Sequence, residues 1–406
     1  MLLRILTLLA LLAATSLTAG EPAVPGTKIP DFTFIHASDC HVPPGVARRT
    51  GPAGGPQFGT AEVVAQIKGL TDPIELRPYG VTVPAPSFAL STGDNTEFGG
   101  LDRVWEQYLG LWQDAPFPVF HVLGNHDNTW AAQRHRIREL HGSTYYSFNR
   151  HGCHFIGWDS ATPQDPRPSF GEEGLEWLRA DLKGVDPATP VFLFLHHPLN
   201  STEFASSYER DRLLDLLRPY NLALLLVGHG HTAQRRVVAG VDQVMGGSTF
   251  GAAPGYSVVS VKDGVLRVAY RKAWEEAPLQ PLLERPLNAR PVYPAIRISA
   301  PAEGATITEP ARIRVTIDRD DIVSARWQAD DEKGREGELA RAGAAWEASL
   351  NAREWEPGAH TLRLVFKSGG GAEYQRTTRF YTAGQQPRVL WRAFMKGSGK
   401  GSPVVD

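Results

Sequence analysis

Between residues 31 and 270, continuous apolar runs alternate with stretches in which apolar residues recur every three or four positions. The runs DFTFIHAS, PSFALST, PVFHVLG, HFIGWDS, PVFLFLHH and LALLLVGHG have strand length and little internal polarity, which predicts strands covered on both faces. Helical spacing links Val63, Val64, Ile67 and Leu70, and again Leu101, Val104, Trp105, Tyr108, Leu111 and Trp112. Ser206 with Glu209 predicts a capping-box start for a helix reaching Leu217. The alternation is that of a layered α/β domain. Residues 42–59, too rich in Pro and Gly for an element, form a long loop after the first strand, at the edge where open α/β sheets place their sites.

The pattern then changes. Residues 271–294 repeat Pro at short intervals and predict a semi-rigid extended linker. Over 295–384 the apolar positions alternate strictly: Ile313, Val315 and Ile317; Val323, Ala325 and Trp327; Trp346, Ala348 and Leu350; Leu362, Leu364 and Phe366. This predicts a small all-β unit of about seven short strands, an immunoglobulin-like sandwich without a cysteine pair. Residues 385–406 read as a disordered tail. Residues 1–20 carry Arg4, an apolar run and then small residues, the pattern of a secretory signal peptide too short for a membrane span, followed by a linker at 21–30. The expectation is a secreted or periplasmic protein with no integral span after signal cleavage.

Composition narrows the partners. A chain of 406 residues can bury more than one core. Its net charge of −2 gives no reason to expect nucleic acid or an anionic membrane, so any phosphate must be attracted locally. Cys40 and Cys153 are its two cysteines, too few for a disulfide framework, and both are expected unpaired.

The chemistry lies where strands stop. DCH ends in Asp39 and His41, GDN carries Asp94, GNHD supplies Asn125, His126 and Asp127, HHP supplies His196 and His197, and GHGH supplies His229 and His231. Residues two apart on extended chain face one side, so Asp39 with His41, and His229 with His231, can each converge on one place. Mixed oxygen and imidazole donors suit Mn, Fe, Co or Zn better than Ca or Mg. The donors are too many for one tetrahedral ion, which favours two metals with a bridging carboxylate. Asn128 predicts an N-cap for a helix from Thr129 that aims its positive end at the site. The remaining histidines, among them His36, His121, His135, His141, His151 and His154, read as packing or exposed groups. Arg134 and Arg138 share a helix face and offer either a phosphate grip or a plain basic surface.

The ordered set DCH, GDN, GNHD, HHP, GHGH resembles the calcineurin-like metallophosphoesterase superfamily over residues 31–270, with FIGWDS, LEWLRADL and GGSTFG as secondary marks. The resemblance implies a four-layer α/β/β/α sandwich and two divalent transition metal ions, Mn, Fe or Zn. Asp39, His41 and His231 would hold the first ion, Asn125, His196 and His229 the second, and Asp94 would bridge; family precedent prefers His196 to His197. His126 would act as general acid, oriented by Asp127. The implied reaction is hydrolysis of a small-molecule phosphomonoester or phosphodiester by a hydroxide held between the ions. The metal-binding Tyr of purple acid phosphatases would fall at Glu97, which argues against that subfamily. The rival is a binding or scaffold protein that kept the fold and lost catalysis, although no motif ligand is missing. The C-terminal sandwich is expected to be a spacer or cap, or to bind glycan or protein.

Overall fold

The computed structural model describes residues 28–201, 203–204, 207–289, 293–308, 310–330, 335–352 and 355–383. The expected signal peptide, most of the linker after it, Ser206 and the tail lie outside the described residues.

Two six-stranded sheets carry the first unit. One is ordered Gln280–Pro286, Val265–Lys272, Gly255–Lys262, Phe32–Ala37, Pro86–Ser91, Val119–His121. The other is ordered Ala233–Val238, Val241–Gly246, Asn221–Val227, Pro190–Phe194, Cys153–Gly157, Tyr146–Arg150. Phe32–Ala37, Pro86–Ser91 and Val119–His121 pair in parallel, as do Cys153–Gly157, Pro190–Phe194, Asn221–Val227 and Val241–Gly246. Parallel pairing brings the C-terminal ends of each set to a common edge, and the donor motifs follow those ends.

Six α-helices are present among the described residues: α1 (Thr60–Lys68), α2 (Asp102–Trp112), α3 (Asn125–Asn128), α4 (Arg134–His141), α5 (Gly171–Leu182) and α6 (Ser207–Leu217). α1 and α2 pack on the first sheet, α5 and α6 on the second. The continuous apolar runs now have a cause. In Pro190–Phe194, Phe192 and Phe194 join the cluster between the sheets, while Val191, Leu193 and the following Leu195 join the one under α5 and α6. Between the sheets the Phe34 ring meets Phe155 and Phe192 edge-on at 5.7 and 5.8 Å. The result is the four-layer α/β/β/α arrangement expected. Both cysteines are buried and unpaired.

Three local expectations fail for physical reasons. The Pro-rich stretch is not simply a connector: Gln280–Pro286 pairs antiparallel with Val265–Lys272 as the edge strand, the sheet position that tolerates Pro. No helix starts at Thr129. Instead Gly124 caps the single turn α3, and Asn128 bonds the Ala161 carbonyl and the Gln133 N–H, closing the loop that precedes α4. Leu101 precedes α2 and is exposed rather than buried.

The C-terminal unit is two facing sheets. Four strands, Ile296–Ala300, Ala311–Ile317, Ala345–Leu350 and Ala340–Ala342, lie opposite five, Thr306–Ile307, Glu373–Thr382, Gly358–Ser368, Ile322–Ala329 and Glu336–Glu338. Ile313, Val315, Leu350, Leu362, Leu364, Phe366 and Phe380 fill the core between them. A bulge between Ile322 and Ser324 turns Ile322 inward in place of Val323, which is 65% exposed.

This unit is fastened to α6. Asp211, wholly buried, accepts hydrogen bonds from Thr377 Oγ1 at 2.6 Å, Gln375 Nε2 at 2.9 Å and Arg363 Nε at 3.3 Å. Removing the carboxylate strands those donors, so Asp211→Ala is expected to cost about 3–5 kcal/mol. Calorimetry of the intact chain reads the cost, and an unchanged thermogram would contradict the anchoring role.

Candidate metal centre

Residues at the ends of five strands meet at one edge of the two sheets. Ligand atoms of Asp39, His41, Asp94 and His231 lie within 4.8 Å of one another, and so do those of His196, His197 and His229. Asn125 joins the second group, with Oδ1 3.1 Å from His196 Nε2 and 3.0 Å from His229 Nδ1. Asp94 lies between the groups. Its Oδ1 accepts the His126 backbone N–H at 2.8 Å, while Oδ2 sits 3.4 Å from His41 Nε2 and 3.2 Å from His196 Nε2.

The backbone is bent to achieve this. Asp39, His41, Asp94, His229 and His231 all have positive φ, between 43° and 71°. Each such residue costs on the order of 1–3 kcal/mol and persists where the surroundings over-determine it, commonly at functional sites. Gly124 is required by close approach, since a Cβ there would meet Asp94 Oδ1 at 2.1 Å.

Hydrogen bonds decide which ring nitrogen faces inward. His196 Nδ1 lies 2.8 Å from the Thr92 carbonyl, which can only accept, so Nε2 keeps its lone pair for the cluster. His41 Nδ1 meets the Glu97 carboxylate at 2.6 Å and likewise frees Nε2. His229 is turned the other way: Nε2 meets Glu203 at 2.8 Å, and Nδ1 faces Asn125. Three imidazoles thus have one nitrogen pinned and the other presented, the arrangement that orients metal-ligating histidines.

The electrostatics agree with a cation site. Asp39 and Asp94 are buried, which alone would raise their pKa, yet the surrounding histidines hold both below the usual carboxylate range. Burial works against a proton on His41, but hydrogen bonds to Asp39 and Glu97 and the charge of Asp94 outweigh it and raise its pKa to about 10. His196 follows suit, to about 9, as Asp94 overcomes burial. The buried acids demand positive charge, and a divalent cation answers that demand while displacing the protons. The donor set therefore fits divalent ions.

His197, the second histidine of HHP, belongs to the same group as His196 and His229; its Nδ1 meets Ser160 Oγ at 2.9 Å, and burial depresses its pKa. His126 stands beside the cluster, its ring 4.4 Å from that of His41. Asp127 does not orient that ring. Its carboxylate accepts from the backbone N–H groups of Gly124, Asn95 and Thr96, from the Asn95 amide and from the Thr96 hydroxyl, at 2.9 to 3.1 Å. It clamps the GNHD loop to the GDN loop, and burial raises its pKa to about 6. The carboxylate near His126 is that of Glu97, 3.8 Å from Nδ1. Arg134 is committed to the buried Asp159 at 2.7 Å.

Glu97 and Glu203 were not picked out by motif reasoning as parts of the site. Glu97 follows Asp94 closely enough to have been suspected, whereas nothing in the neighbourhood of Glu203 signals its role. Glu97→Gln is expected to weaken metal affinity about 10–100-fold through loss of the charged partner of His41. Equilibrium metal titration measures this, and unaltered affinity removes Glu97 from the site.

Comparison with known proteins places this geometry. Residues 32–233 match the model of the calcineurin-like phosphoesterase family, and the chain belongs to that family. It is 30% identical over 140 residues to purple acid phosphatase 21 of Arabidopsis thaliana, covering 33% of this chain and 31% of that protein. It is 26% identical over 181 residues to a probable cyclic nucleotide phosphodiesterase of Rhodococcus erythropolis, covering 40% of this chain and 58% of that protein. The chain thus spans between about a third and three-fifths of the length of these curated relatives. Among solved structures, a purple acid phosphatase from yellow lupin (Lupinus luteus) seeds aligns at a TM-score of 0.44 and 14% identity, over 63% of this chain and 54% of that one.

Proposed function

We propose that the protein is an exported hydrolase of small-molecule phosphomonoesters or phosphodiesters that works with two divalent transition metal ions. Asp39, His41 and His231 would hold one ion and Asn125, His196 and His229 the other, with Asp94 shared. The observation that carries this reading is the position of Asp94 Oδ2, within 3.4 Å of an inward nitrogen from each donor group. Divalent ions held there would supply a nucleophile from water near neutral pH and positive charge for the phosphoryl oxygens.

The chain's own groups do the rest. His126 Nδ1 lies 3.2 Å from the Glu97 carbonyl, an acceptor only, so Nδ1 keeps its hydrogen and Nε2 is the atom that exchanges a proton. Set beside His41 and partly open to solvent, His126 would protonate the leaving oxygen. Its backbone N–H is bound to Asp94, so the acid and the shared carboxylate are positioned together. The leader-like composition of residues 1–20 supports export, and the alternating strands after residue 295 support an immunoglobulin-like reading of the C-terminal unit.

The test is metal analysis of purified protein, then turnover of a panel of mono- and diesters before and after chelation. Activity that vanishes with chelator and returns with Mn, Fe or Zn is expected. Hydrolysis indifferent to chelation, or none with any metal, rejects the proposal.

A further inference from the structure

Large apolar side chains are rarely left exposed in a group without a use. Here Val46, Phe98, Leu101 and Trp130 are 97%, 38%, 41% and 52% exposed. They belong to segments tied together beside His126. Glu97 donates its backbone N–H to the Val42 carbonyl at 3.0 Å, Gly99 donates to the His126 carbonyl at 3.2 Å, and Arg103 reaches the Pro44 carbonyl at 3.0 Å.

The two aromatic members connect to His126. The Trp130 ring is 5.4 Å from that of His126, and Phe98 leans on Trp130 at 4.8 Å with 53° between the planes. Moving outward from the metal cluster, one meets His41, then His126, then Trp130 and Phe98. Neither aromatic ring is needed to close a core, since both stand at the surface.

We infer that Trp130 and Phe98 form a subsite for the leaving group of the substrate, and that this group carries a planar aromatic ring. The inference rests on the proposed hydrolysis for its direction. With the phosphate over the cluster and the ester oxygen at His126, the rest of the leaving group lies across Trp130. A flat ring gains most there, because an exposed indole face takes an offset-stacked or edge-on partner better than a flexible chain, which must give up its rotamer freedom.

The test separates the subsite from the chemistry by using C–P-bonded ligands that cannot turn over. With metal-loaded protein, calorimetry compares 2-naphthylmethylphosphonate, octylphosphonate and methylphosphonate. The naphthyl ligand is expected to bind at least about tenfold tighter than the methyl ligand, and tighter than the octyl one. Trp130→Ala should close most of that gap and Phe98→Ala part of it, whereas Leu279→Ala, at an exposed site on a different segment, should leave it standing. Equal binding of the naphthyl and octyl ligands overturns the aromatic assignment. A gap that survives in both Trp130→Ala and Phe98→Ala overturns the subsite. In parallel, kcat/KM for 2-naphthyl over octyl phosphate should fall about tenfold in Trp130→Ala. If no ester is hydrolysed but the phosphonate order holds, the hydrolase reading fails while the aromatic subsite stands.

Discussion

An Asp94→Asn protein is expected to lose at least about a thousandfold in metal-dependent ester hydrolysis, which corresponds to several kcal/mol of transition-state charge stabilisation. The size of the effect follows from the carboxylate's two oxygens. Oδ1 is held by the His126 N–H, so an asparagine that keeps this bond must turn its amide nitrogen toward His41 and His196. A donor then stands where both groups need an anion, and one negative charge is gone from a buried site. Bound metal per chain should fall with the rate, while circular dichroism stays native. A variant that keeps its full metal content and rate would falsify the shared role of Asp94.

Replacing His126 with Ala should look different. Loss of a general acid lowers kcat by about 10²–10⁴-fold, and because His126 shares a cluster with His41 and Glu97 but lies outside both the Asp39 and the His196 groups, metal content should hold. The loss should also depend on the ester. A p-nitrophenolate leaves readily without a proton, whereas an alkoxide does not, so alkyl phosphates should suffer far more. Steady-state kinetics on such a pair decides the matter: an equal loss on both esters removes the proton-transfer role and leaves only packing against Trp130. Together the two variants separate charge at the shared position from proton transfer at its rim.

Much of the architecture was legible in the chain because it rests on periodicity. Apolar runs of strand length, helical spacing in α1 and α2, and strict alternation after residue 295 express which faces must leave water, and those faces were identifiable one segment at a time. Failures came where a neighbour decided the outcome. Val323 was displaced by a bulge in its pairing with Gly358–Ser368, and the Pro-rich stretch found a free sheet edge beside Val265–Lys272. A register slip or an edge is a property of two strands, invisible in either alone.

The site divides along the same line. The donor residues announce themselves, since Asp, Asn and His packed into glycine turns after buried strands serve no core, and the structure gathers Asp39, His41, Asp94, Asn125, His196, His229 and His231 at one edge. What each neighbour does was settled only by the fold. Adjacent residues Asp94 to Glu97 divide their work between the cluster and its supports. Asp127 was expected to steer His126 and instead clasps two loops, while Glu97 and Glu203, from different segments, select the inward nitrogens of His41 and His229. Sequence therefore determined which chemistry the chain can perform, through residue types at strand ends. Tertiary structure alone determined the direction of each polar atom, because a hydrogen bond has a length near 3 Å and an angle, and its partner arrives from a loop that local sequence cannot see.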